Sequence, residues 1–265
     1  MRLMDCHVHV PSLNQRDLEL LALSGVTALV THISEPEEYK DISVDAIFDF
    51  AERLLNFHAW RTNMYFIKLH VCACVSMVGV PLDYEAALAR LPELVKRPEI
   101  VALGEVGLEP RSATCSDLAI QEKILRAQLD IARELNKPID IHTPLTDKPK
   151  WVDQYLGMVA EHKLDPSKVI IDHADATCVD MITKAGCWAG ITIQPHRKVR
   201  APDAAQMIKD GDRNLILVDS DSGVPPSDSL AVPRTALEMR RLGLTEADIS
   251  KVLWENPNKA YGLGY

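Results

Sequence analysis

Five places in this chain carry side chains able to hold a metal ion or move a proton, and each falls where an apolar run ends. The first is His7-Val8-His9. Histidines two apart on a strand project to one side, and paired neutral imidazoles make half of a transition-metal site. Glu105 closes the run from Ile100, His142 closes Ile139-Asp140-Ile141, and His173 follows Val169-Ile170-Ile171-Asp172. Asp219-Ser220-Asp221 follows Leu215-Ile216-Leu217-Val218. Each alone has an ordinary explanation: a surface histidine pair, a solvated carboxylate, an N-cap neighbour, a satisfied core histidine. Together, four histidines and two carboxylates suit one or two divalent ions. Zinc or manganese fits that donor set best; iron and, less well, magnesium are alternatives. A carboxylate such as Glu105 can bridge two metals about 3.5–4 Å apart, which acidify a water enough to attack at neutral pH. An Asp at the last strand can take that proton and pass it to a leaving group.

Such residues need elements that bring them to one rim. Short β-rich runs alternate here with amphipathic stretches. The pattern predicts strands at 2–8, 26–31, 65–75, 100–105, 139–142, 169–173, 188–193 and 215–219. It predicts helices at 14–24, 44–60, 84–96, 117–135, 151–162, 179–185, 204–209, 232–242 and 246–256. The clearest is 117–135, where Leu118, Ile120, Ile124, Leu125, Leu129 and Ile131 recur at helical spacing. The strands are apolar along their length, as strands buried on both faces must be. Eight of them with intervening helices make a parallel sheet with right-handed crossovers. In 265 residues this is α/β, a (β/α)8 TIM barrel forming one domain over 1–265. Barrel enzymes place their chemistry at the C-terminal ends of the strands, where the five places lie. Gly25 is a lone turn glycine, so a dinucleotide-binding loop has no support.

Thirty-eight acidic against 29 basic residues give a net charge of −9, which argues against a general nucleic-acid binder. No apolar run reaches ~18 residues, so no membrane span is expected. The first residues run straight into Asp5 and His7, so no signal peptide is expected. Six scattered cysteines, Cys6, Cys72, Cys74, Cys115, Cys178 and Cys187, form no Cys-x-x-Cys pair and fit reduced thiols in a cytoplasmic protein. Cys72 and Cys74 read as alternate positions of a buried strand rather than a metal pair.

Several of these stretches resemble the TatD-like branch of the amidohydrolase superfamily. Met4-Asp5-Cys6-His7-Val8-His9 is similar to that family's opening strand. Ala102-Leu103-Gly104-Glu105-Val106-Gly107-Leu108-Glu109 resembles its Gly-Glu-Ile-Gly-Leu-Asp stretch. Lys137-Pro138-Ile139-Asp140-Ile141-His142, Ile171-Asp172-His173, Leu217-Val218-Asp219-Ser220-Asp221-Ser222 and Glu255-Asn256-Pro257-Asn258-Lys259-Ala260-Tyr261-Gly262 resemble its later signatures. The resemblance spans the chain. It implies that His7, His9, Glu105 and Asp221 hold one metal and that Glu105, His142 and His173 hold the second. It also makes Asp221 the proton shuttle, with Asp219 as the competing candidate.

The chain departs from the family at two places. The third strand leads into Cys74-Val75-Ser76-Met77 without the family's Gly-Ile-His-Pro, and the fifth continues His142-Thr143-Pro144 without an arginine. Two groups that would hold a nucleic-acid backbone are therefore missing, and a nucleic-acid substrate is not favoured. Substitutes could come from His32 at the second strand end and from His196, Arg197, Lys198 and Arg200 after the seventh. Lys148 and Lys150 lie after the fifth strand, and Asp175 could orient a ligand. Cationic side chains over a metal site suit a small anionic substrate such as a phosphoester. The leading expectation is a metal-dependent hydrolase of phosphoester bonds: a phosphodiester, a phosphotriester or a nucleic-acid end. A lactonase or amidohydrolase working on a small carbonyl substrate is the second, and a metal-binding protein without turnover the third.

Overall fold

A computed structural model describes residues 1–33, 43–112 and 117–265. Eight parallel strands follow one another around a single sheet in chain order. They are β1 (Leu3–Val8), β2 (Val26–His32), β3 (Lys68–Ala73), β4 (Ile100–Gly107), β5 (Ile139–His142), β6 (Val169–Ile171), β7 (Trp188–Thr192) and β8 (Ile216–Asp219). The sheet closes just past the last strand: Val8 bridges Ser222, the Asp221 amide donates to the His7 carbonyl at 3.0 Å, and the His9 amide donates to Ser222 at 2.7 Å. The expected (β/α)8 barrel is thus the observed one.

Helices cross between consecutive strands and end where their sequences say they should. Asn14 and Asp17 form a capping box on helix Gln15–Leu23, and Thr245 with Asp248 does the same for Glu246–Ser250. Ser43, Asp83 and Asp117 cap the helices that follow them. Asn136, in a left-handed conformation, ends Leu118–Leu135. Several boundaries differ from expectation. The helical stretch from Val44 passes through a π turn at Leu54–His58 and runs to Asn63. Phe66, at φ +58°, then breaks the chain before β3, which is shorter than the run at 65–75. Helix Lys148–Glu161 starts three residues early because Pro149 suits a first turn. Among the described residues, no helix is long and apolar enough to cross a membrane.

Strand alternation divides the core in two. Outward rows, such as Ile139 and Ile141 or Ile216 and Val218, pack under the helices. Inward rows carry Met4, Cys6, Ala28, Val30, Cys72, Ala102, Ile170, Trp188 and Leu217, and Trp254 and Tyr261 from the C-terminal helical turns close the barrel floor beneath them. One step further along the same rows the interior turns polar. His32 follows Val30, Asp172 follows Ile170, Asp219 follows Leu217, and Asp140 lies between two outward isoleucines; all four are buried. Inward glycines give them room. A Cβ on Gly104 would lie 2.8 Å from the Asp140 Cβ and 3.2 Å from the His32 ring, and one on Gly190 would lie 2.2 Å from Asp172 Oδ1.

Candidate metal centre

The six side chains expected as metal ligands meet at the C-terminal mouth of the barrel. Glu105 is their centre. Its Oε1 lies 2.8 Å from His142 Nδ1 and 2.9 Å from His173 Nε2, and its Oε2 lies 3.8 Å from His7 Nε2. Across the closing seam of the sheet, His9 Nε2 lies 3.0 Å from Asp221 Oδ1. Ligand atoms of His7, Glu105, Asp172 and His173 all fall within 4.8 Å of one another, as do those of His7, His9 and Asp221. His7 belongs to both groups, and its Nε2 is buried without a hydrogen-bond partner. An orphaned imidazole nitrogen aimed at a carboxylate among other imidazoles is what a divalent cation would satisfy. The donor set fits the group it was expected to hold.

Backbone geometry aims these side chains. β4 runs two residues past Glu105, so this carboxylate projects from within the strand. The β1–β2 register shifts between Asp5 and Val8, which breaks strict alternation where His7 leaves the row. His173 and Asp221 follow their strands at φ +59° and +49°. Non-glycine residues rarely adopt this region outside sites that need it.

Charge is arranged with equal care. Burial works against the charge on Glu105, but His142 and His7 outweigh it and hold the carboxyl well below its usual range. Asp221 is buried too, and Lys198, 2.7 Å from its Oδ2, together with His9 keeps it low. Burial, reinforced by Lys198, depresses His173 to about 4, which leaves a neutral imidazole with a lone pair. Lys198 Nζ lies 3.1 and 3.2 Å from the two nitrogens of that ring.

The residues expected to contact substrate separate. Of the seventh-strand group, Lys198 enters the site. His196 and Arg197 are exposed, and Arg200 is exposed and paired with Asp203. His32 lies away from the mouth: it is buried, with its ring centroid 4.1 Å from that of His7 and its Nε2 2.9 Å from Asp140. Lys148 is buried and donates to the His173 carbonyl, while Lys150 lies over the Trp151 ring. The orienting role expected of Asp175 falls to Asp172, whose Oδ2 is 2.6 Å from His7 Nδ1; Asp175 instead takes the Thr177 amide and hydroxyl. Asp219 does not reach the mouth. It is buried in the inward row, and no partner meets either carboxylate oxygen. Sequence reasoning missed Glu109, 3.3 Å from His142 Nε2, and the buried Asp140. The signal for Asp140, as for Asp172, was an acidic residue inside an otherwise apolar strand, which requires a partner. Cys72, on β3, and Cys74, just past the end of that strand rather than on it, are buried free thiols, and Cys115 lies outside the described residues.

Comparison with known proteins supplies the family. Residues 4–262 match the family model described as TatD related DNase. An uncharacterized metal-dependent hydrolase of Methanocaldococcus jannaschii is 33% identical over 261 residues, which is 98% of this chain and all of that one. An uncharacterized metal-dependent hydrolase, TatD, of Mycobacterium tuberculosis is 23% identical over 99% of both chains. Among solved structures, a TatD-like protein from Archaeoglobus fulgidus superposes with a TM-score of 0.78 at 23% identity, covering 98% of this chain and 99% of that one.

Proposed function

Starting from a chain that belongs to the TatD family of metal-dependent hydrolases, we propose that it cleaves phosphoester bonds in small anionic substrates. The observation that carries this reading is Lys198. Its ammonium reaches over the candidate metal centre to Asp221 and His173, where a substrate oxyanion would need a cation. His7, His9 and Asp221 would hold one ion, and His142 and His173 the other, with Glu105 shared between them. Ions held there supply Lewis acidity and an acidified water. The chain's own groups do the rest. Asp172 fixes the His7 ring through Nδ1. Asp221 divides its oxygens between His9 and Lys198, and it is the carboxylate placed to carry a proton to the leaving group. Lys198, released from Asp221 by a competing anion, steadies the non-bridging oxygens. Among the described residues, five buried free thiols support a reducing, cytoplasmic setting.

The test is metal content per chain, followed by hydrolysis of a phosphodiester, a phosphotriester and a lactone panel with and without chelator. Chelator-sensitive turnover of phosphoesters, lost in Asp221→Asn, is the expected result. A Lys198→Met variant should raise KM for the anionic diester far more than for the neutral triester. Hydrolysis of lactones alone would replace phosphoester with carbonyl chemistry at the same centre.

A further inference from the structure

His142 is held on both sides. Its Nδ1 faces Glu105 at 2.8 Å and its Nε2 faces Glu109 at 3.3 Å. Glu109 is itself fixed at three points. Its amide donates to Gln121 Oε1 at 2.7 Å, its carbonyl accepts from Gln121 Nε2 at 3.0 Å, and its Oε1 accepts the Arg111 amide at 2.9 Å. Gln121 is buried on helix Leu118–Leu135, so this clamp is anchored in the barrel wall. Only Oε2 is left to face the imidazole. The approach depends on Gly107, at φ +147°, where a Cβ would lie 2.9 Å from the His142 carbonyl oxygen and 3.0 Å from its Cβ. β4 and β5 close to this spacing because residue 107 has no side chain.

We propose that Glu109 is the positioning residue for His142, holding the ring by its Nε2–H so that Nδ1 presents its lone pair beside Glu105. An ionised carboxylate only accepts hydrogen bonds, so once a cation beside Glu105 takes the Nδ1 lone pair the ring proton stays on Nε2, where Glu109 accepts it. The other nitrogen then becomes the ligand atom, and an anionic partner increases its basicity. His173 is built the opposite way round. Its Nδ1 meets the Thr192 hydroxyl at 2.6 Å, and its Nε2 faces the same Glu105 oxygen. The two imidazoles thus offer different nitrogens to one point, each fixed from behind, one by a neutral hydroxyl and one by a carboxylate.

This inference rests on the reading of His142 as a metal ligand, and its test separates the two. Zinc affinity is measured by competition with a chromophoric chelator in the wild type, Glu109→Ala and Glu109→Gln, with cobalt(II) visible spectra as a second readout. Glu109→Ala should bind about 10–100-fold more weakly, the range for loss of such a partner, with an altered cobalt spectrum. Glu109→Gln, whose amide oxygen accepts the same Nε2–H, should stay within about threefold of wild type. Should Glu109→Ala fail to fold, Glu109→Met keeps the length without an acceptor and takes its place with the same expected loss. Wild-type affinity in the Ala or Met variant overturns the inference. So does a Gln variant as weak as Ala, which would make Glu109 a direct ligand. A wild-type chain that takes up no zinc or cobalt overturns the metal reading itself.

Discussion

Gly190 on β7 is the position where the smallest change should disturb the centre most. An added Cβ would lie 2.2 Å from Asp172 Oδ1, 3.0 Å from Cγ and 3.2 Å from Cα. Ordinary contact begins near 3.4 Å, so the carboxylate must retreat by about 1.2 Å or the strands must part. Asp172 has no slack for that. Its Oδ2 meets His7 Nδ1 at 2.6 Å, and its Oδ1 accepts the His173 amide at 2.7 Å. A retreat of about 1.2 Å would carry the His7 contact out of hydrogen-bonding range. Overpacking of a tight interior costs about 1–3 kcal/mol, and a lost charge-assisted hydrogen bond about 1.5–3 kcal/mol. We therefore expect Gly190→Ala to lose roughly 2.5–6 kcal/mol of stability. It should also bind metal about 10–100-fold more weakly, because His7 is no longer held. Denaturant unfolding of the metal-free protein reads the first effect, and chelator competition reads the second. A variant with wild-type midpoint and wild-type metal affinity would refute the packing argument and the orienting role of Asp172 together.

Gly157 is the matching control: it is exposed on helix Lys148–Glu161, and a Cβ there meets nothing within 4 Å. Gly157→Ala should stabilise by about 0.5–1 kcal/mol, seen as a later unfolding midpoint; a loss would contradict the open space. Metal at 100-fold its dissociation constant should add about 2.7 kcal/mol, so excess chelator should lower the melting temperature by roughly 5–10 °C, and superimposable melting curves would count against a resident ion. Burial, aided by Arg61 at His58 and by Lys68 at His70, depresses both imidazoles to about 4. Unfolded histidines take up protons near pH 6.5, so this stability is complete above about pH 6.5 and declines as pH falls toward 4. Unfolding measured across that window should show a shallower decline in His58→Gln/His70→Gln, and an unchanged slope would rule out these two groups as its source.

The barrel was legible because its two periodicities are pure. Runs such as Val169-Ile170-Ile171 read as strands covered on both faces, and apolar residues at helical spacing marked the helix over 117–135. Glu105, His142, His173 and the His7/His9 pair were legible for the same reason, as polar residues that interrupt or end apolar runs. What strand alternation cannot encode is the backbone beyond the strand. It places Asp219 and Asp221 on one face, yet the left-handed turn at Asp221 swings its carboxylate to His9 while Asp219 stays in the inward row behind Leu217. Loops show the same limit. His196, Arg197, Lys198 and Arg200 read as one cationic group, but the turn through Gln194 sends only Lys198 inward and leaves Arg200 to its neighbour Asp203. Asp175 reads as an orienting group because it follows His173, yet the inward row through Ile170 carries Asp172 to His7.

The buried acids beneath the mouth are best understood as one device. Barrel interiors are ordinarily filled by branched apolar side chains, and each acid that replaces one carries a desolvation cost. Neighbouring carboxylates cannot all be ionised in so little space, so their protonation is driven apart. Burial pushes Asp140 up despite His32, and burial with Asp172 nearby pushes Asp219 up further. Asp172 goes the other way: burial opposes its charge, but its contacts with His173 and His7 draw its carboxyl below the usual range. The acid that touches a candidate ligand is thus held low, and those behind it are pushed up. Tyr261 extends the arrangement to the floor: its hydroxyl lies 2.5 Å from Asp140 Oδ2 and 3.2 Å from the Cys6 carbonyl. The interior gives up apolar packing so that one negative charge is set firmly behind His7, and Gly104 and Gly190 are the space this requires. Such an exchange of stability for position belongs at a working site; in a barrel that served only as a scaffold, alanine at Gly190 and leucine in the inward row would be the more stable solution.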